Sequence, residues 1–292
     1  MSNPLAEVFG FPTSNKTAEA KRYRKLRLCP FNNKVPSCTK DKAQDPLGVC
    51  TIHDGNGLAI TCPIRFREDW TIAENASHFF FTQGTNWTSL TEIRLDDKNG
   101  KSAGNIDLVL VSYDKSGRIT DFGALEVQGV YISGNVRRPF EKFMKSQDKR
   151  TFDWSGEPNS PHADYLSSSR KRLVPQLIYK GGILHSWKRK MAVALHEGFF
   201  RTLPSLPRVK AADADVAWFV YTLDYQKSRN RLKLHLKETV YTKFHDALNT
   251  ISVPEPGQMG DFVKLLQEKL DEKLDNPVPP DAPTLADVLK GS

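Results

Sequence analysis

Two neighbouring segments decide the fold of this chain: Asn105-Ile-Asp107-Leu-Val-Leu-Val111 and, after a short turn, Ala124-Leu-Glu126-Val-Gln128. Side chains of an extended strand alternate between its two faces, so Glu126 and Gln128 point the same way. The first segment is almost continuously apolar, which is typical of a strand buried on both faces. An ionised Asp107 in such a strand is costly unless a cation or hydrogen-bond donors compensate its charge. The two segments therefore predict a buried sheet that carries a polar cluster.

The spacing of these polar residues indicates a metal site. Asp114-Lys-Ser-Gly117 is a turn signal, so we expect strands at 105–113 and 118–132 to form a hairpin-like pair. An Asp on one strand and a Glu on the next can jointly hold a hard divalent cation. The pattern D-x18-E-x-Q resembles the site of PD-(D/E)xK nucleases, with Gln128 in the position of the usual lysine. That resemblance implies an α/β fold with a restriction-endonuclease-like core, a central mixed sheet flanked by helices.

A third carboxylate is a candidate for the same site, and a structural role for all three remains open. Glu92 lies in Leu90-Thr-Glu-Ile-Arg-Leu95, for which we predict a helix, and its carboxylate could approach the metal from upstream. A solvated position on a helix surface explains Glu92 equally well. Acidic residues at such separations are common and strands often end in a polar residue, so Asp107 and Glu126 could instead only close hydrogen bonds.

The four cysteines form a second signal, because all of them lie in the first quarter of the chain: Cys29, Cys38, Cys50 and Cys62. The N-terminus has no charged segment followed by an apolar run, so clustered cysteines favour a metal site over two disulfides. The spacings lack the paired C-x2-C of common zinc fingers. Four thiolates suit tetrahedral iron or zinc, and such a closed site would be structural. The alternative is four unligated structural cysteines.

Charge and hydropathy limit the class of protein. The 292 residues contain 42 Lys and Arg against 34 Asp and Glu, a net charge of +8, which favours a polyanionic partner. No window approaches the apolar length that spans a membrane. From the sequence we expect a soluble cytoplasmic protein with no membrane association.

Local patterns divide the chain into three parts: a basic N-terminal helix with the four-cysteine module (1–64), a larger core (65–275) and an extended tail (276–292). Pro-rich composition predicts that the tail is poorly ordered. We predict helices at 14–28, from 65 to about 95, and at 136–147, 163–179, 182–200 and 258–273. Further strands are expected at 214–223 and 231–240, and a loop at 151–162.

Basic residues suggest where a nucleic acid would lie. The densest clusters are Arg170, Lys171 and Arg172, and Lys188, Arg189 and Lys190, which resemble surfaces that contact phosphates. Solvated helix faces explain either cluster as well. Arg65 and Arg67 follow the last cysteine, and we predict that the cysteine module presents them to bases in the major groove.

The order of these motifs resembles one family, the NotI-type type II restriction endonucleases. The most characteristic pieces are Cys29-Pro-Phe31 with the three later cysteines, Gly104-Asn-Ile-Asp107 and Leu125-Glu-Val-Gln-Gly129, and the similarity covers roughly residues 5–200. The resemblance implies a homodimer that cuts double-stranded DNA at a GC-rich palindrome, with iron at the four cysteines.

The family's catalytic pattern implies roles for particular residues. Asp107, Glu126 and the Val127 carbonyl would hold Mg²⁺ against the scissile phosphate, and Glu92 is a further candidate ligand. Gln128 is an amide and cannot accept a proton as an amine can, but it can orient the attacking water. Two other readings stay open: a non-catalytic DNA-binding regulator built on the four-cysteine module, and a repair or structure-specific nuclease with the same core.

Overall fold

A computed structural model describes residues 3–32, 34–42, 44–55, 57–146 and 159–275. Its strands, in chain order, are β1 (Leu5–Val8), β2 (Phe11–Pro12), β3 (Asp41–Lys42), β4 (Asp45–Pro46), β5 (Val49–Asp54), β6 (Gly57–Ile60), β7 (Trp87–Asp96), β8 (Ser102–Tyr113), β9 (Ile119–Gln128), β10 (Tyr131–Ser133), β11 (His162–Asp164), β12 (Met191–His196), β13 (Val216–Gln226) and β14 (Arg231–Thr242). The strands predicted around Asp107 and Glu126 and the two predicted near the C-terminus are confirmed as β8, β9, β13 and β14.

The described helices are interspersed with these strands along the chain. They are α1 (Ala18–Leu26), α2 (Thr71–Phe80), α3 (Arg137–Lys145), α4 (Tyr165–Ser168), α5 (Val174–Gln176), α6 (Gly182–Ser186), α7 (Glu197–Phe200), α8 (Phe244–Ser252) and α9 (Met259–Asp275), with 3-10 segments at Pro63–Trp70 and Ala211–Asp213. The predictions at 14–28, 136–147 and 258–273 are confirmed as α1, α3 and α9.

A six-stranded mixed sheet forms the centre of the fold, in the order β14-β13-β12-β9-β8-β7. The adjacent strands β9, β12 and β13 run parallel, whereas β7, β8 and β14 are antiparallel to their neighbours. Apolar clusters cover both faces of this sheet. The expected central mixed sheet flanked by helices is therefore present.

The strand β12 corrects the sequence-based prediction of a helix over 182–200. Met191-Ala-Val-Ala-Leu-His196 is entirely buried between β9 and β13. A short apolar run has no periodicity that separates a buried strand from a buried helix. Burial between two parallel neighbours decides for the strand, because a parallel sheet needs apolar side chains on both faces.

A second correction concerns the helix predicted from residue 65 to about residue 95. The helical part ends with α2 at Phe80, and Trp87–Asp96 is the edge strand β7. In β7 the exposure of the side chains alternates along most of the strand, as expected for an edge strand with one face toward the interior and one toward solvent. Glu92 therefore lies on a strand.

The N-terminal part contributes a small sheet of order β2-β1-β5-β6 to the same apolar core. Leu5 and Val49 belong to one buried cluster together with Val109 and Val193 of the central sheet. Residues 1–252 accordingly form one compact unit, and no boundary between compact units falls at residues 64 and 65.

A second unit begins at Val253, and its described part contains α9. The predicted tail at 276–292 lies outside the described residues, as do residues 151–158 of the predicted loop. Among the helices that the structure describes, none is long and apolar enough to cross a membrane.

The helix predicted at 163–179 is interrupted by two π-turns. The pieces α4, α5 and α6 alternate with π-helical segments at Ser169–Leu173 and Leu177–Gly181. We call the whole of residues 165–186 the bulged helix. Each π-turn inserts an extra residue and so changes which side chains face the sheet, a feature that is frequent at functional sites.

Candidate active site and cysteine cluster

The register of the central sheet brings three acidic residues into one row. Leu108 pairs with Leu125, so the next position along places Asp107 opposite Glu126. On the other side of β8, the pairs Thr91–Leu108 and Ile93–Ile106 place Glu92 opposite Asp107. Residues directly opposite each other on neighbouring strands are the closest cross-strand neighbours. The predicted carboxylates therefore occupy adjacent positions on β7, β8 and β9.

Asp107 binds the backbone beside Glu126. Its Oδ2 accepts a hydrogen bond from the Val127 N–H at 2.8 Å. This bond ties the side chain of β8 to the main chain of β9 where the regular ladder between the two strands ends. The Val127 N–H is thus used inside the protein, and its carbonyl remains a predicted metal ligand.

Glu126 is a buried carboxyl group with a raised pKa. The residue is completely buried, and burial followed by repulsion from Asp107 raises the pKa of its carboxyl group to about 8, against the opposing effect of Lys180. Its Oε2 accepts a hydrogen bond from Lys180, whereas Oε1 is buried with no hydrogen-bond partner. A buried carboxylate oxygen without a partner is costly, and such atoms mark strain or a place for an ion or a substrate group.

Lys180 is a residue that the sequence analysis missed. Its Nζ lies 2.6 Å from Glu126 Oε2 and 2.8 Å from the carbonyl oxygen of Asn105, and only 3% of the residue is exposed. Lys180 lies between the two helices predicted at 163–179 and 182–200, where a single lysine looks like a surface residue. The only signal in the sequence was its position in the apolar stretch Leu177-Ile-Tyr-Lys-Gly181.

Gln128 meets a second side chain of the bulged helix. The amide Nε2 of Gln128 donates a hydrogen bond to Oε1 of Gln176, and Gln128 itself is buried. Gln176 and Lys180 are four residues apart and so lie on one face of the helix. The bulged helix therefore contacts both polar residues of the Glu126-Val-Gln128 motif, one through an amide and the other through an ammonium group.

Glu92 faces away from this cluster as the structure stands. Its carboxylate is exposed and lies 3.7 Å from Lys34 Nζ. The backbone of Glu92 has a φ of 57°, a left-handed conformation that is unfavourable for a residue with a side chain. Strained backbone of this kind is concentrated at functional sites. Glu92 is next to the site in the sheet, and its role as a ligand remains a prediction.

The acidic pair has the chemistry of a divalent-cation site. Carboxylate oxygens are the ligands that Mg²⁺ prefers, and Mg²⁺ is usually held by one or two carboxylates together with water and substrate oxygens. Glu126 Oε1 and the neighbouring carboxylate of Asp107 supply such a pair. Within the described residues, no three His, Cys, Asp or Glu side chains form a complete ligand set. The residues thus fit a cation that completes its coordination with water and phosphate.

The four cysteines come together from two chain reversals. The Cys29 N–H donates to the Pro36 carbonyl at 2.8 Å and the Cys38 N–H donates to the Arg27 carbonyl at 2.9 Å, which closes the first reversal. Cys50 and Cys62 lie at the open end of the β5–β6 hairpin, joined by a bond from the Cys62 N–H to the Cys50 carbonyl at 3.2 Å.

The thiols are near enough to influence each other. Burial raises the pKa of Cys50 well above its ordinary value, and charges on Cys62, Glu7, Cys29 and Cys38 act in the same direction. All four thiols are free, so the two disulfides of the disfavoured alternative are not formed. Cys38, Cys50 and Cys62 are buried and Cys29 is partly exposed. Neighbouring thiols repel each other when ionised, and a cation would remove that repulsion.

Backbone amides already point at one of these sulfurs. Burial raises the pKa of Cys29 to about 12, but hydrogen bonds from the backbone N–H groups of Phe31 and Asn32 favour its thiolate. Thiolates that bind a metal are commonly supported in this way by outer-shell hydrogen bonds. Because no complete ligand set is formed among the described residues, the four thiols would have to draw closer to hold one ion.

Arg65 and Arg67 are corrected from predicted base contacts to interior residues. Arg65 is completely buried, with Nε 2.9 Å from Glu7 Oε2 and Nη1 2.8 Å from Glu68 Oε2. Its guanidinium also lies 4.3 Å from the centre of the Phe31 ring. Arg67 is 8% exposed. Side chains enclosed in this way cannot reach the edges of base pairs. Arg65 instead joins Phe31 of the cysteine module to Glu7 and Glu68.

The basic cluster on the bulged helix is better placed to contact DNA. Arg170, Lys171 and Arg172 are exposed, and Arg172 lies 5.3 Å from the centre of the Tyr131 ring. Tyr131 begins the strand that follows Gln128 in the chain. This cluster therefore lies near the end of β9 that carries the acidic row, where a phosphate would have to bind.

The second basic cluster immediately precedes β12, and its side chains contact residues outside the acidic row. Arg189 pairs with Asp121, and the Nζ of Lys190 donates to the Phe79 carbonyl at 2.9 Å, whereas Lys188 is exposed. Asp121 is near the beginning of β9, roughly 16 Å along the strand from Glu126. The structure does not bring Lys188, Arg189 and Lys190 to the acidic row.

Comparison with known proteins gives one clear match. Residues 14–234 match the family model described as restriction endonuclease NotI. This range includes the four cysteines, the acidic row and the whole bulged helix. No curated protein is similar enough to the chain to count as a relative.

Proposed function

Because the chain belongs to the restriction endonuclease NotI family, and is therefore a type II site-specific deoxyribonuclease that acts on DNA, we propose that it hydrolyses phosphodiester bonds with Mg²⁺ held by Asp107 and Glu126. The observation that carries this proposal is the buried Oε1 of Glu126, which has no hydrogen-bond partner and lies beside a second carboxylate. The strand positions of these residues support a PD-(D/E)xK type of core. Membership of the family disfavours the alternative of a non-catalytic regulator.

The side chains of the site would each do one task. Glu126 and Asp107 would bind the cation, and Asp107 would at the same time hold the Val127 N–H and so fix β9 against β8. Mg²⁺ bound there would neutralise charge that develops on the phosphate and lower the pKa of a bound water. Gln128, held by Gln176, has no basic nitrogen and can orient the attacking water through its amide.

A palindromic target requires two copies of this site. The described residues contain one such acidic row, and one row cuts one strand. Two chains related by a twofold axis present the same surfaces to the two halves of a palindrome. We propose a homodimer on this ground and on the family resemblance, which is also the only support for a GC-rich target. A particle of monomer mass that persists on cleavable DNA would contradict the dimer.

The direct test of this function is digestion of a long, sequenced and unmethylated DNA with and without Mg²⁺. We expect discrete fragments that need Mg²⁺ and whose mapped ends share one palindromic sequence. Fragments with random ends would indicate a nuclease without sequence specificity. A preference for branched substrates would favour a structure-specific repair enzyme.

We also propose that Cys29, Cys38, Cys50 and Cys62 bind one structural iron or zinc ion. The support is the electrostatic influence of the thiols on one another, the burial of three of them, their free state and the amide hydrogen bonds to Cys29. A metal with four protein ligands has no open position and would not take part in the reaction. The ion would stabilise a segment whose few strands are too short to fold alone.

Replacing Cys50 with serine should remove the ion and destabilise the N-terminal part. Structural metal sites contribute directly to the free energy of folding, and one lost ligand of four leaves the site open. We expect one equivalent of iron or zinc in the native protein by elemental analysis, its loss in Cys50→Ser, and a lower melting temperature. Native protein that carries no stoichiometric metal after purification without chelators would contradict the proposal.

A further inference from the structure

Lys180 occupies a position that an ordinary surface lysine would not reach. It comes from the second π-turn of the bulged helix, and its ammonium group is enclosed by the carboxylate of Glu126 and the carbonyl of Asn105. Asn105 stands two residues before Asp107 on β8. The ammonium group therefore bridges the two strands that carry the acidic row.

The charge of this lysine matters because Gln128 is neutral. In the PD-(D/E)xK pattern the third position carries an amine, whereas here it carries an amide. An ammonium group has three donors and a full positive charge, which an amide cannot replace. Lys180 brings that charge to the same cluster from a different element of the chain.

A purely structural ion pair does not account for all of the geometry. Buried ion pairs offset their desolvation only when the remaining lone pairs are also satisfied. Lys180 satisfies Glu126 Oε2, whereas Oε1 is buried without a donor and the Asp107 carboxylate lies beside Glu126. The cost of that bare oxygen is understandable if another cation is to bind it, because one carboxylate can then bridge the lysine and the metal.

We propose that Lys180 is a positioning residue of the cleavage reaction. It holds Glu126 through Oε2 so that Oε1 is presented to the divalent cation, and it supplies the positive charge that is missing at Gln128. This inference rests on the proposed role of Glu126 as a metal ligand. It predicts that removing Lys180 weakens the binding of the cation, although removal of a nearby positive charge would by itself strengthen it.

The test is the affinity of the full-length protein for Mn²⁺ alone, measured by electron paramagnetic resonance. Mn²⁺ prefers oxygen ligands and leaves the thiols to softer metals. We expect Lys180→Met to bind Mn²⁺ about 10–100-fold more weakly than the native protein and to cleave DNA more slowly by a similar factor, the usual cost of losing an outer-shell partner. Lys180→Arg, which keeps the charge, should recover part of both losses.

Two controls separate the role of Lys180 from the role of Glu126 and from the general loss of an ion-paired lysine. Lys237, on β14, is another ion-paired lysine and its partner is Glu197 of α7. Lys237→Met should leave Mn²⁺ binding and cleavage unchanged. Glu126→Gln should abolish both. If Glu126→Gln remains active, the proposed metal site itself fails. If Glu126→Gln is inactive but Lys180→Met binds Mn²⁺ with unchanged or higher affinity, only the role of Lys180 is overturned.

Folding is checked with circular dichroism before any titration. If Lys180→Met does not fold, Lys180→Gln takes its place, since its amide can still donate to Glu126 but carries no charge. We expect weakened Mn²⁺ binding in Lys180→Gln as well. Binding at the native level in that variant would show that the positive charge is not needed and would overturn the second half of the proposal.

Discussion

Replacing Glu126 with glutamine is expected to reduce DNA cleavage by about 10³-fold or more while DNA binding is retained. A metal ion contributes several kcal/mol to the stabilisation of transition-state charge, and roughly 4 kcal/mol corresponds to a thousandfold change in rate. Glutamine has the shape of glutamate and can still accept the hydrogen bond from Lys180, so the fold should persist. Asp107→Asn should reduce cleavage to a similar extent, since the carboxylate charge is lost. Its fold should also persist, because the remaining carbonyl oxygen can still accept from the Val127 N–H.

The measurement is single-turnover cleavage of a mapped target fragment, with DNA affinity from fluorescence anisotropy in Ca²⁺. Glu238→Gln serves as the matched control, since Glu238 is an ion-paired glutamate on the edge strand β14. Retained cleavage in either Glu126→Gln or Asp107→Asn would remove that residue from the site. A parallel loss of DNA binding would instead indicate that the variant has damaged the DNA-binding surface.

Replacing Arg65 with methionine is expected to lower the free energy of unfolding by about 3–5 kcal/mol, the usual cost of removing one partner of a buried ion pair. Burial alone would lower the pKa of Arg65, but Glu7 and Glu68 outweigh it and raise the pKa. Without the guanidinium, Glu7 keeps the hydrogen bond from Thr51 Oγ1 at 2.6 Å but stays buried without a compensating cation among the described residues. A loss of this size is a large part of the stability of a typical protein.

Equilibrium unfolding in urea measures this effect. The double variant Glu7→Gln with Arg65→Met removes both charges, so it should be more stable than Arg65→Met alone, and the difference gives the coupling energy of the pair. If Arg65 contacted bases, Arg65→Met would change sequence preference and leave the free energy of unfolding unchanged. A folded Arg65→Met of native stability with altered sequence preference would restore Arg65 to the DNA interface.

The sequence allowed the acidic row to be predicted because its signal is local. Asp107 and Glu126 interrupt apolar strands, and the turn at 114–117 places those strands side by side. Glu92 was assigned to a helix for lack of a visible pairing partner, although the register of β7 with β8 puts it opposite Asp107. The helix predicted for Glu92 is wrong, and its part in the site stays a prediction.

Residues that depend on long-range packing could not be predicted. Lys180 contacts Glu126 from the second of two π-helical segments, and the residue types of the bulged helix do not predict a π-turn. The burial of Arg65 likewise depends on Glu7, far away in the chain. Strand β12 was mistaken for a helix because a short apolar run is compatible with both.

The most direct measurement of the proposed site is the position of Mn²⁺ in crystals of the protein bound to its DNA target, located by anomalous scattering. The proposed site predicts a peak within bonding distance of Glu126 Oε1 and an Asp107 carboxylate oxygen, next to a phosphate of the DNA. A Mn²⁺ ion beside the scissile phosphate that contacts neither carboxylate would contradict it.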